Sequence, residues 1–147
     1  MKVIMKPTIA IASDHAGLEL KKQLASYVEL LGHEVRNLGT DETDSVDYPD
    51  FANAVAEEIS SKRAGLGILI CGSGIGMSMA ANRHKAIRAA LVHSGLEARL
   101  ARQHNHANVL CLGARIIGIE TAKDCVKEFL NAVFEGGRHQ KRIDKMS

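Results

Sequence analysis

The chain has no tryptophan, and its two tyrosines and three phenylalanines make aromatic residues only 3% of 147 positions. That scarcity removes the stacking platforms expected of most single-strand nucleic-acid binders and leaves Ala, Leu, Ile and Val to fill the core. A strong charge of one sign is missing too: 19 basic residues against 17 acidic ones give a formal net charge of +2. Neither nucleic acid nor an anionic membrane is therefore the default partner, and any anion site must be local. No apolar run approaches the roughly 18 residues needed to cross a bilayer, and Met1 to Pro7 lacks the apolar stretch of a signal peptide. Cys71, Cys111 and Cys125 are odd in number and without paired spacing, which argues against a disulfide framework. A cytoplasmic protein with reduced thiols is expected. A chain of 147 residues that is 46% hydrophobic has room for one core and hardly for two, so residues 1–147 are expected to form a single domain. Glycine, by contrast, is plentiful, with 13 residues, several of them clustered.

Short β-rich runs alternate with helical patterns from end to end. The apolar run Thr8 to Ser13 precedes a helix whose positions Leu20, Leu24, Tyr27, Val28 and Leu31 step by three and four, with Gly32 as its C-terminal punctuation. A short strand near Glu34 to Leu38 and a polar loop lead to Tyr48-Pro49-Asp50, which opens a helix carrying Phe51, Val55 and Ile59. Gly67 to Cys71 is the most apolar strand and runs into glycines and a Met- and Ala-rich helix. Ile87 to Val92 precedes Ser94-Gly95-Leu96-Glu97, which has the spacing of a capping box. Val109 to Leu112 is the fifth strand, and a helix from Ile119 to Phe134 is expected to bury Ile119, Ala122, Val126, Phe129, Leu130 and Val133. Strands apolar along their whole length argue a parallel sheet covered on both faces. The expected fold is a three-layer α/β/α Rossmann-like domain with a five-stranded parallel sheet.

Ligands of such sheets bind beyond the carboxyl ends of the strands, where this chain places Ser13-Asp14-His15-Ala16-Gly17, Cys71-Gly72-Ser73-Gly74-Ile75-Gly76 and Gly113-Ala114-Arg115. Glycines between a strand and a helix let backbone N–H groups converge on an anion at the helix N-terminus; equally, they allow a tight turn and close packing. The dinucleotide fingerprint fails because Met77 stands where its third glycine belongs and no acidic residue ends the next strand, and a P-loop pattern is absent. Cys71 is either a small buried hydrophobe or, at the mouth of the glycine turn, a thiolate able to take a proton. A low-molecular-weight phosphatase would need Arg where Met77 stands. Cys111 and Cys125 lie inside a strand and a helix pattern and read as core.

Asp14 could cap the following helix or handle protons beside His15, which is either a loop residue or a phosphate contact. In His104-Asn105-His106 the H-x-H spacing has no third ligand at metal spacing, which argues against a metal site. An acid/base histidine and a polar helix end remain the alternatives. After Gly136-Gly137, a tail that restarts as a helix would put Arg138 and Arg142 on one face, where two guanidinium forks suit a phosphate; otherwise it is a basic tail. Topology adds a constraint. The helix that starts at Ser94 runs away from the carboxyl edge, and its eleven or so residues rise roughly 16 Å, so His104 and Asn105 end far from their own Cys71. Arg138 and Arg142, after the last helix, lie at the same wrong edge. If all serve one site, they reach it from a neighbouring subunit.

The stretches SDHAGLELK, DYPDFA, GILICGSGIGMSMAANR, RQHNHANVLCLGAR and FEGGRHQKRI, in this order over nearly the whole chain, resemble ribose-5-phosphate isomerase type B. The resemblance implies reversible conversion of D-ribose 5-phosphate to D-ribulose 5-phosphate by a homodimer with composite sites, without metal or organic cofactor; assembly of dimers into a dimer of dimers stays open. It places the base at Cys71 and the ring-opening acid at His104. Substrate contacts fall on Asp14, His15, Tyr48, Gly72, Ser73, Gly74, Ile75, Gly76, Asn105, Arg115, Arg138 and Arg142, with Ser73 and Asp14 also in the catalytic set. One branch of the family uses Glu at the position of Ile75, so Cys71 with Ile75 points to the cysteine-base branch. His106 stands where the family is often acidic. Related galactose-6-phosphate isomerase subunits, and relatives active on allose phosphate, leave sugar length open, and a non-catalytic sugar-phosphate-binding module is the alternative from another class.

Overall fold

Runs such as Ile9-Ala10-Ile11-Ala12 and Leu66 to Cys71 offer no polar face, so they are stable only between two layers. The computed structural model describes residues 5–146. Strands β1 (Ile9–Ser13), β2 (Val35–Asn37), β3 (Leu66–Cys71), β4 (Ala89–Leu91) and β5 (Val109–Gly113) pair in the order β2-β1-β3-β5-β4, every pair parallel. All residues of β1, β3 and β5 are buried, and the edge strands β2 and β4 are short and partly exposed. Helices α1 (Leu18–Leu30), α2 (Tyr48–Ser60), α3 (Ile75–Ala81), α4 (Gly95–Asn105), α5 (Ile119–Asn131) and α6 (Arg138–Asp144) complete the described chain.

Alternate strand residues divide the core in two. Ile9, Ile11, Ile68, Ile70, Leu110 and Leu112 pack with Leu24 and Val28 of α1, Ala98 of α4, and Val126 and Phe129 of α5. Ala10, Ala12, Leu69, Cys71 and Cys111 pack on the other face with Val55 and Ala56 of α2 and Met77 and Ala81 of α3. Each fully buried Leu, Ile or Phe contributes about 1.5–3 kcal/mol. This is the expected three-layer α/β/α Rossmann-like arrangement. Among the described residues, no helix is long and apolar enough to cross a membrane.

The local signals act as their chemistry predicts. Gly32 follows α1 at φ +95°, and Ser94 Oγ accepts the Glu97 N–H at 3.2 Å. The Glu97 carboxylate reaches back to the His93 N–H at 3.0 Å, one residue beyond the usual capping-box partner. Three expectations need correction. The last long helix stops at Asn131 because Ala132 turns to an extended ψ of 150°, so Val133 is 75% exposed instead of buried. The ladder of β4 is shorter than Ile87 to Val92, although Ile87 and Val92 themselves are buried. Similarly, β2 pairs only over Val35–Asn37.

From β1 the chain moves outward to β2 and then crosses back to β3 on the other side of β1. That reversal opens a crevice between the carboxyl ends of β1 and β3. Asp14 and Cys71 stand there, and the Asp14 N–H donates to Ile70 O at 3.2 Å.

Candidate active site

The crevice is a cleft of about 580 Å³, lined by Asp14, Tyr48, Cys71, Gly72, Ser73, Ile75, Gly76 and Arg115, together with Met79 and Ile116. Cys71 ends β3 with 4% exposure, and its Sγ accepts the Gly74 N–H at 3.1 Å. A donor aimed at sulfur strengthens when the sulfur carries charge. Gly74 sits at φ +78°, and a methyl there would lie 2.6 Å from Leu91 Cδ1 and 2.9 Å from the Leu112 carbonyl carbon. Only glycine fits. The Ile75 N–H donates to Ser73 Oγ at 3.2 Å, so two of the amides expected to cradle an anion are engaged within the turn itself. At Gly76 a methyl would come 2.5 Å from Tyr48 Cζ, so this glycine makes room for the Tyr48 ring over the start of α3. Arg115 lies over Gly72, whose added methyl would be 3.1 Å from Nη1.

Asp14 caps the 3-10 turn His15–Gly17, its Oδ1 accepting the Gly17 N–H at 3.2 Å, whereas the helix α1 that follows starts after Gly17 with no side-chain cap. Asp14 is also part of the cleft wall, 7% exposed. His15 is held from the loop before α2: its Nδ1 accepts the Val46 N–H at 3.1 Å. Cys111 and Cys125 are fully buried, as expected. Burial, with Cys71 nearby, drives the Cys111 thiol far above its ordinary value; burial, with Asp124 and Glu97, pushes Cys125 up to about 11. Neither is a nucleophile.

The second group of expected residues lies at the opposite edge of the sheet. His104 and Asn105 end α4, and three residues later Asn108 O accepts the N–H of Gly67, near the start of β3. Asn105 lines a separate pocket with Arg88, Ala90 and Ala107. The tail does restart as a helix, so Arg138 and Arg142 stand one turn apart on α6; both are exposed, and among the described residues neither has a carboxylate partner.

Sequence spacing missed two neighbours of His104. His139 of α6, 7% exposed, stacks on the His104 ring with centroids 4.3 Å apart and planes at 12°. Glu135 Oε1 lies 3.7 Å from His104 Nε2 and 3.4 Å from His139 Nε2. Three metal-capable side chains therefore meet within 4.8 Å where the chain near His104 offered no third. Near-parallel rings, however, send their nitrogen lone pairs side by side instead of onto a common point. His106 adopts the left-handed cap at φ 50° and stacks on Phe134 at 4.3 Å. Burial, then Arg88 and Arg102, hold its imidazole below the ordinary value, favouring the neutral ring.

The model of the Ribose/Galactose Isomerase family matches residues 9–146. The chain belongs to the ribose/galactose isomerase family. Ribose-5-phosphate isomerase B of Escherichia coli is 42% identical over 139 residues, 95% of this chain and 93% of that protein. The crystal structure of a Thermotoga maritima ribose 5-phosphate isomerase superposes with a TM-score of 0.94 at 51% identity, covering 97% of this chain and 98% of that one. The Mycoplasma genitalium ribose-5-phosphate isomerase B, solved with bound ribulose-5-phosphate, gives a TM-score of 0.90 at 50% identity over 95% and 93% of the two chains. Family membership makes the chain a sugar-phosphate isomerase, and the crevice at the β1/β3 reversal is where its fold concentrates reactive side chains.

Proposed function

We propose that this isomerase interconverts D-ribose 5-phosphate and D-ribulose 5-phosphate through an enediolate, in a site shared by two copies of the chain. The observation that carries the proposal is Cys71, seated at the floor of the cleft with the Gly74 N–H on its sulfur. A relative 50% identical to this chain has been solved with ribulose-5-phosphate bound, which supports the five-carbon substrate.

His104 donates a proton to the ring oxygen as the furanose opens, and the anomeric hydroxyl gives its own proton to water, which returns one to His104 and leaves the free aldehyde. Cys71 thiolate then removes the C2 proton, and the electron pair moves onto O1. The glycine turn and the Ser73 hydroxyl hold the resulting enediolate. Asp14 moves the hydroxyl proton between O2 and O1, and Cys71 returns its proton to C1, leaving the ketone at C2. No metal or organic cofactor takes part in these steps. Arg115, Arg138, Arg142 and His15 hold the phosphate, Tyr48 and Asn105 the sugar, and the entire chain works as one domain. Because His104 and Arg138 stand at the sheet edge opposite Cys71, each site combines Asp14, His15, Tyr48, Cys71 and the glycine turn of one subunit with His104, Asn105, Arg138 and Arg142 of its partner.

Two experiments test this. Ribose 5-phosphate in deuterium oxide is expected to exchange its C2 proton and yield ketose with wild type, and to do neither with Cys71→Ala. Binding without exchange or product would leave a sugar-phosphate-binding module instead. Parallel assays with allose and galactose 6-phosphates decide sugar length. Mixing inactive Cys71→Ala and His104→Ala subunits is expected to restore one working site per heterodimer; a confirmed heterodimer without activity refutes the shared site.

A further inference from the structure

Lys21 is among the largest fully buried side chains of the described residues, with 1% exposure, on the same stripe of α1 as the core residues Leu24 and Val28. A buried ammonium is tolerated only when paired and hydrogen-bonded. Its three protons find three oxygens: Asn37 Oδ1 at 2.7 Å, Thr40 O at 2.5 Å and Asp41 Oδ1 at 2.8 Å. All three acceptors belong to one short segment, from the last residue of β2 to Asp41. The Asn37 amide braces that segment further by donating to Asp41 Oδ1 at 2.8 Å, and its oxygen accepts the Gly39 N–H at 3.0 Å. The hydrogen bond from Lys21, then that from Asn37, holds the Asp41 carboxyl below its ordinary value, as an acceptor that must stay ionised requires.

What this segment touches is the reactive end of the fold. Ser13, the last residue of β1, donates to Gly39 O and accepts from the Thr40 N–H, both at 2.8 Å. Asp14 and His15 follow directly. Farther along, the same connection brings the Val46 N–H onto His15 Nδ1 at 3.1 Å and then delivers Tyr48 to the cleft. A backbone N–H can only donate, so Nδ1 accepts and carries no proton. The ring proton of the neutral imidazole is then on Nε2, the one donor left for a substrate oxygen.

We propose that Lys21 is a positioning residue: by fixing the segment from Asn37 to Val46 it holds His15 in the tautomer whose Nε2–H donates to the sugar phosphate. The assignment of the sugar phosphate rests on the function proposed above; the tautomer does not. Lys21→Met keeps the length of the buried stem and removes the ammonium. KM for ribose 5-phosphate is expected to rise about tenfold or more, the size of one lost hydrogen bond to a charged group, with a smaller change in kcat. Nitrogen-15 NMR of the His15 ring is expected to show one tautomer in wild type and a mixture in the variant. Leu24→Ala, on the same stripe but outside the network, controls for stability alone: it lowers Tm and leaves KM and the His15 signals unchanged. If Lys21→Met does not fold, the Asn37→Ala/Asp41→Ala double variant removes two of the three acceptors and is judged on the same readouts. A folded variant with wild-type KM and a single His15 tautomer overturns the proposal. Should wild type show no isomerase activity, the NMR comparison and the Kd for inorganic phosphate still decide the role of Lys21.

Discussion

Replacing Gly74 with alanine tests the glycine turn at the point where its backbone, sulfur contact and packing coincide. Two costs follow from the geometry. An L-residue held at φ +78° loses about 1–2 kcal/mol against its preferred conformation. The new methyl also meets the Leu112 backbone at 2.9 Å and Leu91 Cδ1 at 2.6 Å, and because backbone cannot step aside as a side chain tip would, overpacking adds about 1–3 kcal/mol. A total near 3 kcal/mol lowers Tm by about 6–12 °C in a domain of this size. The turn moves with it, so the Gly74 N–H leaves Cys71 Sγ and kcat is expected to fall about tenfold or more. Gly118→Ala is the control, since its added methyl meets nothing within 4 Å and its φ is −83°; it is expected to cost less than about 1 kcal/mol. Calorimetry and steady-state kinetics on the pair read both effects. A Gly74→Ala protein melting within about 2 °C of wild type would refute the steric reasoning, and an unchanged kcat would refute the link to Cys71.

Acid titration should find Glu58. Hydrogen bonds from Arg36 at 2.6 Å and, after the opposing effect of burial, from Arg63 at 3.0 Å hold its carboxyl below the ordinary 4.5. A depressed folded pKa contributes stability above the unfolded value and loses it as pH falls through the folded value. Chemical denaturation at a series of pH values is therefore expected to show a decline beginning near pH 4.5, shallower in Glu58→Gln; identical slopes would contradict this. Phe129→Ala empties a fully buried position on α5 and removes the ring that lies 5.6 Å from the Arg102 guanidinium of α4, so unfolding is expected to show a loss of about 3–5 kcal/mol.

Whatever depends on neighbours in the chain was legible without coordinates. Gly32 and Ser94 mark helix ends because their partners lie within four residues, and the apolar runs from Ile9 and Leu66 require a two-sided cover whatever their neighbours are. Direction alone also placed His104 away from Cys71, because a helix of known rise in a parallel β-α unit must return to the opposite edge. Pattern misled at Val133, where helical spacing continues past the extended Ala132 and ends in solvent. Tertiary structure decided the rest. Lys21 looks like one more solvated cation until three oxygens from the β2 segment close around it. His104 has no visible companions until α6 and the connection before it bring His139 and Glu135 from more than thirty positions away. Valine at position 46 carries no chemistry in its side chain, yet its amide selects the protonated nitrogen of His15. Periodicity and caps are local energies, readable one turn at a time, whereas a buried charge or a tautomer is set by atoms that only the folded chain brings together.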